Sequence, residues 1–540
     1  MWAKNLLFVA VCVVGLAALA ASVAPSLDPA DRPRVHVDTK SVRAAAARLD
    51  AAFERLWQQA DVEPAPAAPE LIVARRLSLA LHGTIPSLQE IRRFESLPRE
   101  NRLDVWTAER LADRRYADYF AERLARAFVG VEEGPFLLYR RRRFVAWLAD
   151  QLVAGEPYDG IVRHLIADTG LWTDTPAVNF VTVTINPGDE NRPDPNRLAA
   201  RVARAFLGIR IDCAECHDHP FAPWKQSDFQ GLAAFFGGTR QGLRGIRDLP
   251  GEFQIENRQT GQTATIASRA PYAQELLPAG PSERRRLAAW VTHRDNRPFA
   301  REAVNRAWAL MFGRPLVEPI DNLGVSQTYP EAFDLLADDF VEHGYDLRRL
   351  LEVIARSRAF RLDSKLEASA DTSADGLAKR ASLWAVFPLT RLRPEQVVAA
   401  VQQSASLATI DYESNILVRF ARAVGQSEFI ERYGDGGADE FDFHGGTIGQ
   451  RLLLMNGVIV NAKTADSLLA NAATQIAVLA PDDACAVETA MLAVLSRRPG
   501  AEEATYFANR LDDTTGRRRN ERLGDLYWTL LNGTEFSWNH

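Results

Sequence analysis

A chain of 540 residues exceeds what one hydrophobic core normally organises, so two domains are the default and three are possible. Apolar residues make up 47 % and charged residues 25 %, with Leu, Ala, Arg and Glu abundant, which favours a mainly α fold. The net charge of −6 creates no field that attracts a polyanion, so nucleic acid is not an expected partner.

Lys4 and the apolar run Leu6 to Val23, which ends in the small residues Ala20-Ala21-Ser22-Val23-Ala24, read as an export signal. Residues 1–24 are then either a cleaved signal peptide or an uncleaved membrane anchor, since the run is near the length that crosses a bilayer. In both cases the body is expected outside the cytoplasm, in the periplasm or at the cell surface, where conditions are oxidising. Cys12 follows Val11 where a lipoprotein signal needs a small residue, so lipidation is not expected. Pro25 to Thr39 is rich in Pro, Asp and Arg without apolar periodicity, and residues 25–41 read as a tether.

Helical patterns then follow one another. Leu71, Arg75, Leu79 and His82 lie on one helix that Gly83 stops, and Ser87 with Glu90 forms a capping box opening the next. Arg102 to Leu111 and Tyr116 to Phe128 continue the series, and Phe144, Trp147, Leu148 and Leu152 make an apolar stripe at helical spacing. The run Arg140 to Arg143 ahead of it reads as a solvated face rather than an anion site. Val181, Val183 and Ile185 alternate, making Ala177 to Asn186 the best strand candidate of the first half, followed by a polar loop from Pro187 to Asn196. Asp194 or Asn196 caps a helix running to about Phe206 and ended by Gly208, and another helix spans Ser227 to Phe236. Thr239 to Tyr272 loses helical period and predicts a small β-insertion. Helices return at Arg284 to Val291, Ala300 to Phe312, Pro330 to His343 and Leu347 to Arg358. After a polar stretch at Asp371 to Asp375 they resume at Pro394 to Ala405, Gly449 to Leu469, Val487 to Leu495, Ala501 to Leu511 and Leu523 to Asn532. The expected architecture is two helical domains, 42–238 and 281–540, joined by a β-containing connector at 239–280.

Four cysteines exclude a disulfide framework. Cys485 reads as a small apolar core residue on a helix. Cys213, Cys216 and His217 form a Cys-x-x-Cys-His motif inside Cys-Ala-Glu-Cys-His-Asp-His-Pro-Phe, the spacing at which two thiols attach haem c and the histidine ligates its iron.

These motifs carry a family resemblance. Leu77 to Ser87, Cys213 to Phe221 with Pro223-Trp224, Phe299 to Gly313, Gly344 to Leu347, Ser357 to Phe360 and the closing Leu526 to His540 occur in family order. The chain resembles planctomycete-type surface proteins, in which a cytochrome-like domain of unknown function (fifteen-forty-nine) precedes a surface domain of unknown function (fifteen-fifty-three). The resemblance runs from near Val42 to the C-terminus and implies a surface or periplasmic protein with a c-type haem. Many relatives carry a Cys-x-Cys-Glu-Arg patch, and the corresponding Glu440 to His444 has no cysteine.

Three readings of the motif stay open: covalent haem with transfer of single electrons to a redox partner protein, a short disulfide stapling a loop, and a zinc-like divalent metal on Cys213, Cys216, His217 and His219. In the last two the chain is a non-enzymatic surface or binding protein. A sixth iron ligand has only Met311, Met455, Met491, His164, His293, His343 and His444 as candidates, with the methionines expected in the core. Trp224, Phe221, Phe229, Phe235 and Phe236 either wall a porphyrin or belong to the core of the adjoining helix. Hydrolytic motifs are absent: there is no Gly-x-Ser-x-Gly, His-Glu-x-x-His or phosphate-binding loop. Gly434 to Gly437 and Gly445-Gly446 read as loops, and Asp338, Asp339, Glu342 and His343 as the polar face of one helix.

Overall fold

The computed structural model describes residues 39–131, 138–185, 192–251, 253–256, 261–325, 327–366, 371, 373–411, 414, 426–434, 441 and 447–540. The N-terminal leader, nearly all of the tether, the glycine-rich stretches apart from Gly434, and His444 lie outside them. The fold is mainly α. The first part comprises α1 (Thr39–Gln59), α2 (Glu70–His82), α3 (Leu88–Ser96), α4 (Arg102–Ala112), α5 (Arg114–Val129), α6 (Arg141–Ala154), α7 (Tyr158–Ala167), the short α8 (Asn179–Thr182), α9 (Pro195–Leu207) and α10 (Gln226–Ala234). Two antiparallel hairpins follow, β1 (Thr239–Gly242) with β2 (Gly245–Asp248) and β3 (Phe253–Glu256) with β4 (Thr263–Ile266). Next come α11 (Glu283–Val291), α12 (Arg297–Phe312), α13 (Glu331–Glu342), α14 (Leu347–Arg356), α15 (Arg358–Arg361) and α16 (Ala374–Ser382). β5 (Thr390–Arg391) pairs antiparallel with β6 (Trp538–Asn539) near the C-terminus. Between them lie α17 (Pro394–Ser404), α18 (Gln426–Tyr433), α19 (Ile448–Asn456), α20 (Val458–Thr464), α21 (Ala472–Leu479), α22 (Asp483–Leu495), α23 (Ala501–Leu511) and α24 (Gly516–Asn532). No described helix is long and apolar enough to cross a membrane.

Local sequence explains most boundaries. Gly83 adopts φ 66° and ends α2, and the Ser87 and Glu90 side chains close the capping box of α3 reciprocally. Asp194, not Asn196, caps α9 by accepting from the backbone of Asn196 and Arg197; Pro195 then holds the first helical position. Gly457 splits the predicted helix at 449–469 into α19 and α20, and Ser357, whose hydroxyl caps α15, breaks the one at 347–358.

Of the strand expected at 177–186, none forms among the described residues 177–185. From Ala177 to Ile185 every residue is buried, so the alternation of Val181, Val183 and Ile185 does not mark one solvent face. Local bonds fold the segment as helical turns, including Val183 N–H to Asn179 O at 3.1 Å and Thr184 N–H to Val181 O at 3.2 Å. The Asn179 side chain adds two more, accepting from Arg140 N–H at 2.8 Å and donating to Pro176 O at 2.8 Å. Among the described residues no strand lies beside it to offer a ladder, and β-branched residues take the helical turn that burial imposes.

Apolar residues form two cores. The larger draws on both sides of the hairpins, from Val42 through Phe206 and Trp308 to Phe387. The smaller gathers Leu392, Val397, Met491, Tyr527 and Phe536 around Leu79 and Ile85 from the beginning of the chain. Helix α2 therefore serves both: Val73, Leu77 and Leu81 enter the first core while Leu79 enters the second. Arg75 and Arg76 are buried on the same helix. Arg75 donates to Val494 O at 3.0 Å and Phe536 O at 3.4 Å. Arg76 donates to Phe360 O at 3.1 Å, Leu362 O at 2.7 Å and the main-chain oxygen of His540 at 2.7 Å, and lies 3.6 Å over the Phe387 ring. Burial pushes the two guanidinium groups down, to about 10 and about 9, which leaves both charged at neutral pH.

The hairpin β1–β2 docks on the loop after α7 through Gly245, φ 81°, where a Cβ would stand 1.9 Å from Gly170 O. Gly170 and Ile246 exchange both backbone hydrogen bonds there, each at 2.9 Å. The Arg140 to Arg143 run behaves largely as a polar face: Arg142 and Arg143 are exposed, and Arg141 forms a bidentate pair with Glu122.

Buried carboxyl groups give the stability a two-sided pH dependence. Burial raises Glu302 and Glu352 to about 7 against the pull of Arg306 and Arg356. Between about pH 4.5 and 7 these groups bind more protons in the folded chain than in the unfolded one, so stability increases as pH falls through that window. Glu90 goes the other way: burial opposes its ionisation, but Arg110 and Arg115 outweigh that and hold it well below the usual carboxylate range. Its contribution is present above about pH 4.5 and disappears as the pH falls further. Thermal melts are expected to show a melting temperature that rises from pH 8 to a maximum at about pH 5.5 and drops below about pH 4. A melting temperature that rises steadily from pH 5.5 to 8 would contradict this assignment.

Candidate functional site

The Cys-x-x-Cys-His motif stands on a short 3₁₀ turn, Asp212–Glu215, which four residues, 208–211, separate from the end of α9. Gly208 makes that placement possible. It takes φ 59°, its carbonyl accepts from Leu323 N–H at 2.6 Å, and a Cβ there would stand 3.3 Å from Glu302 Cγ and from Leu323 Cδ1. Beyond it Ile209 and Ile211 point into the core while Arg210 reaches Asp321. Ala214, fully buried, plugs the base of the turn, and its N–H donates to Ile211 O at 2.9 Å. The residues around it, Cys213, Glu215, Cys216 and His217, are exposed.

Polar contacts hold this turn. Arg204 of α9 pairs with Asp212 at 2.9 Å, and the Asn196 side chain donates to Glu215 at 3.1 Å. Gln226, at the start of α10, donates its side-chain amide to the carbonyls of Glu215 and Cys216 at 3.2 and 3.0 Å; its backbone N–H donates to the Asp218 carboxylate at 2.9 Å. These satisfy carbonyls that a turn this short leaves unpaired.

The two histidines differ. His217 Nδ1 lies 2.8 Å from the carbonyl oxygen of Asp218, which only accepts, so Nδ1 carries the proton and the Nε2 lone pair is free. His219 Nδ1 instead accepts from Phe221 and Ala222 N–H at 3.1 and 3.0 Å, which places its proton on Nε2. Its backbone N–H donates to Trp224 O at 2.8 Å, closing the Pro220–Pro223 loop.

Cys213 and Cys216 are free thiols, so the short disulfide expected as one alternative is not formed. Among the described residues no group of three or more His, Cys, Asp and Glu side chains is assembled to hold a metal ion. The zinc-like set Cys213, Cys216, His217 and His219 therefore does not converge, and His219 is occupied by its own loop. The aromatic residues divide: Trp224, Phe229, Phe235 and Phe236 are core, whereas Phe221 is 94 % exposed.

Among the described residues considered as a sixth iron ligand, all but Met455 are engaged elsewhere, and His444 lies outside the described residues. Met311 and Met491 are buried in the two cores, but Met455 is 40 % exposed, contrary to the core position expected for it. His164 pairs with Asp168 at 3.1 Å, His293 accepts from Asp295 N–H at 3.2 Å, and His343 Nδ1 lies 2.8 Å from Asp339 O. Asp339 is buried against Arg349 and Arg48, so the acidic residues of α13 serve ion pairing. Cys485 lies in the first turn of α22, half-buried rather than in the core, and its N–H is capped by Asp482.

Two family models match the chain in succession. Residues 48–241 match PSCyt2, described as a protein of unknown function (DUF1549), and residues 283–419 match PSD1, described as a protein of unknown function (DUF1553). No curated protein and no solved structure matches significantly. The motif falls within the first of these segments, and Leu323 and Glu302, on which Gly208 rests, fall within the second.

The sequence alone did not reveal Asn196, Gln226 or Arg204 as supports of the turn; a polar residue on an adjacent helix carries no signature of its distant partner. Gly208→Ala is expected to destabilise the chain by about 1–2 kcal/mol through the left-handed backbone alone. Its methyl would also press on Glu302 and Leu323. Equilibrium denaturation measures the cost, and unchanged stability would contradict the close approach described here.

Proposed function

Because the chain carries a PSCyt2 domain followed by a PSD1 domain, we propose that it is an exported, c-type-cytochrome-like protein that binds haem c covalently and passes single electrons to a redox partner protein. The observation that carries this reading is the donor set: two free, exposed thiols at Cys213 and Cys216, followed by the exposed His217 with its Nε2 lone pair available. Cys213 and Cys216 would hold the group through thioether bonds, and His217 Nε2 would ligate the iron. Once bound, the haem supplies a one-electron couple.

The chain's own residues prepare for it. The Asp218 carbonyl keeps the proton on His217 Nδ1, which fixes the tautomer and makes Nε2 the stronger donor. Gln226 and Asn196 hold the turn so that both thiols stay outward, and Ala214 keeps its base dry. Haem attachment takes place after export, which the apolar run at Leu6 to Val23 supplies. The protein then acts in the periplasm or at the cell surface, released by cleavage of the leader or held by residues 1–24 in the cytoplasmic membrane.

The test is expression of the full chain in a host with haem-maturation machinery. A haem stain that survives a denaturing gel, a mass increase of one haem and a reduced-minus-oxidised visible difference spectrum are expected, all lost in a Cys213→Ser, Cys216→Ser double variant. Bare polypeptide mass in properly matured material would end the proposal. If that material also lost two titratable thiols on oxidation, the pair would be a disulfide.

A further inference from the structure

The base of the Cys-x-x-Cys-His turn is held by a chain of four alternating charges that begins on the turn and passes through Asp321 of the second family segment. Asp212 receives Arg204 at 2.9 Å. Arg204 Nε stands 3.6 Å from Asp321 Oδ2, and Asp321 Oδ1 receives Arg210 from Nε at 2.9 Å and Nη2 at 2.8 Å. The side chains of the three residues other than Asp321 are about two-fifths exposed, whereas that of Asp321 is 10 % exposed. A pair of exposed partners would hold little on its own. Asp321 is different because the chain around it is fixed: Leu323 N–H donates to Gly208 O at 2.6 Å, and Leu323 itself is buried.

We infer that Asp321 is a positioning residue for the Cys-x-x-Cys-His turn, orienting Arg210 and Arg204 and through Arg204 holding Asp212 beside Cys213. The second family segment thereby supplies part of the frame of a site whose reacting groups lie in the first. With Asp321 charged, the four groups sum to zero. Replacing Asp321 with a neutral side chain removes one negative charge from this set and leaves the four positions with a net charge of +1 under the turn. A positive charge close to an iron centre favours its reduced form, so the same residue also sets the potential of the site. Only this last consequence rests on the haem proposal.

The experiment compares the full chain with Asp321→Asn and Asp321→Glu variants. In haem-free protein, amide hydrogen exchange of residues 208–219 is expected to be severalfold faster in Asp321→Asn, to return toward wild type in Asp321→Glu, and to stay unchanged in α1 and α2. In matured protein the midpoint potential is expected to rise in Asp321→Asn and to recover in Asp321→Glu. Equal exchange of 208–219 in wild type and Asp321→Asn would overturn the positioning role, and a potential that is unchanged or lower would overturn the electrostatic one. Should Asp321→Asn fail to fold, Asp212→Asn, at the solvent end of the same charge chain, is read against the same exchange criterion. Wild-type protein that takes up no haem ends the functional proposal, while the exchange result still decides this one.

Discussion

Two arginines on one buried helix impose the condition that the rest of the molecule meets. Among the described residues Arg75 and Arg76 form no ion pair with an Asp or Glu side chain; main-chain oxygens of Phe360, Leu362, Val494, Phe536 and His540 receive them instead. A buried guanidinium without such acceptors costs several kcal/mol, and each hydrogen bond from a charged donor returns about 1.5–3 kcal/mol. Helix α2 can therefore be buried only when segments several hundred residues further along are already in place. The two cores are built around the same helix for this reason, and β5 pairs with β6 so that the end of the chain reaches it.

The candidate site sits at the outer edge of this frame. Its thiols and imidazole are exposed, while everything beneath them is fixed: Ala214 and Ile211 in the core, Gly208 against Glu302 and Leu323, Trp224 beside Tyr272 with ring centroids 6.3 Å apart. A rigid base with an exposed rim suits chemistry that another molecule must reach. It also explains why no ligand cluster forms among the described residues. The polar side chains around the turn, Asn196, Arg204 and Gln226, are used to hold backbone and carboxylate groups of the turn, and His219 is used to close its loop.

Features coded within a few residues were legible in the sequence. The Gly83 stop, the Ser87 and Glu90 capping box, the Gly208 end of α9 and a small β-insertion within 239–272 all depend on local backbone preference, and all formed. The helices at 158–167, 374–382 and 472–479 escaped, since each is short, and the one at 374–382 buries no side chain. The strand at 177–186 was misread because periodicity reports which residues are apolar, not whether a second strand lies alongside. Cys485 and Met455 were placed in the core by residue type, yet their position on α22 and α19 leaves them part-exposed. At the candidate site the Cys213, Cys216 and His217 motif was legible from spacing alone. Its supports were not, because Asp321 is more than a hundred residues from the arginine it fixes.

The most direct test of this account is differential scanning calorimetry of the full chain beside an Arg75→Met, Arg76→Met double variant. Shared use of α2 predicts that the native chain unfolds in a single transition whose calorimetric and van't Hoff enthalpies agree, and that the double variant melts at lower temperature in two resolved steps. Two independent transitions already present in the native chain, with a double variant that melts as the native one does, would contradict it.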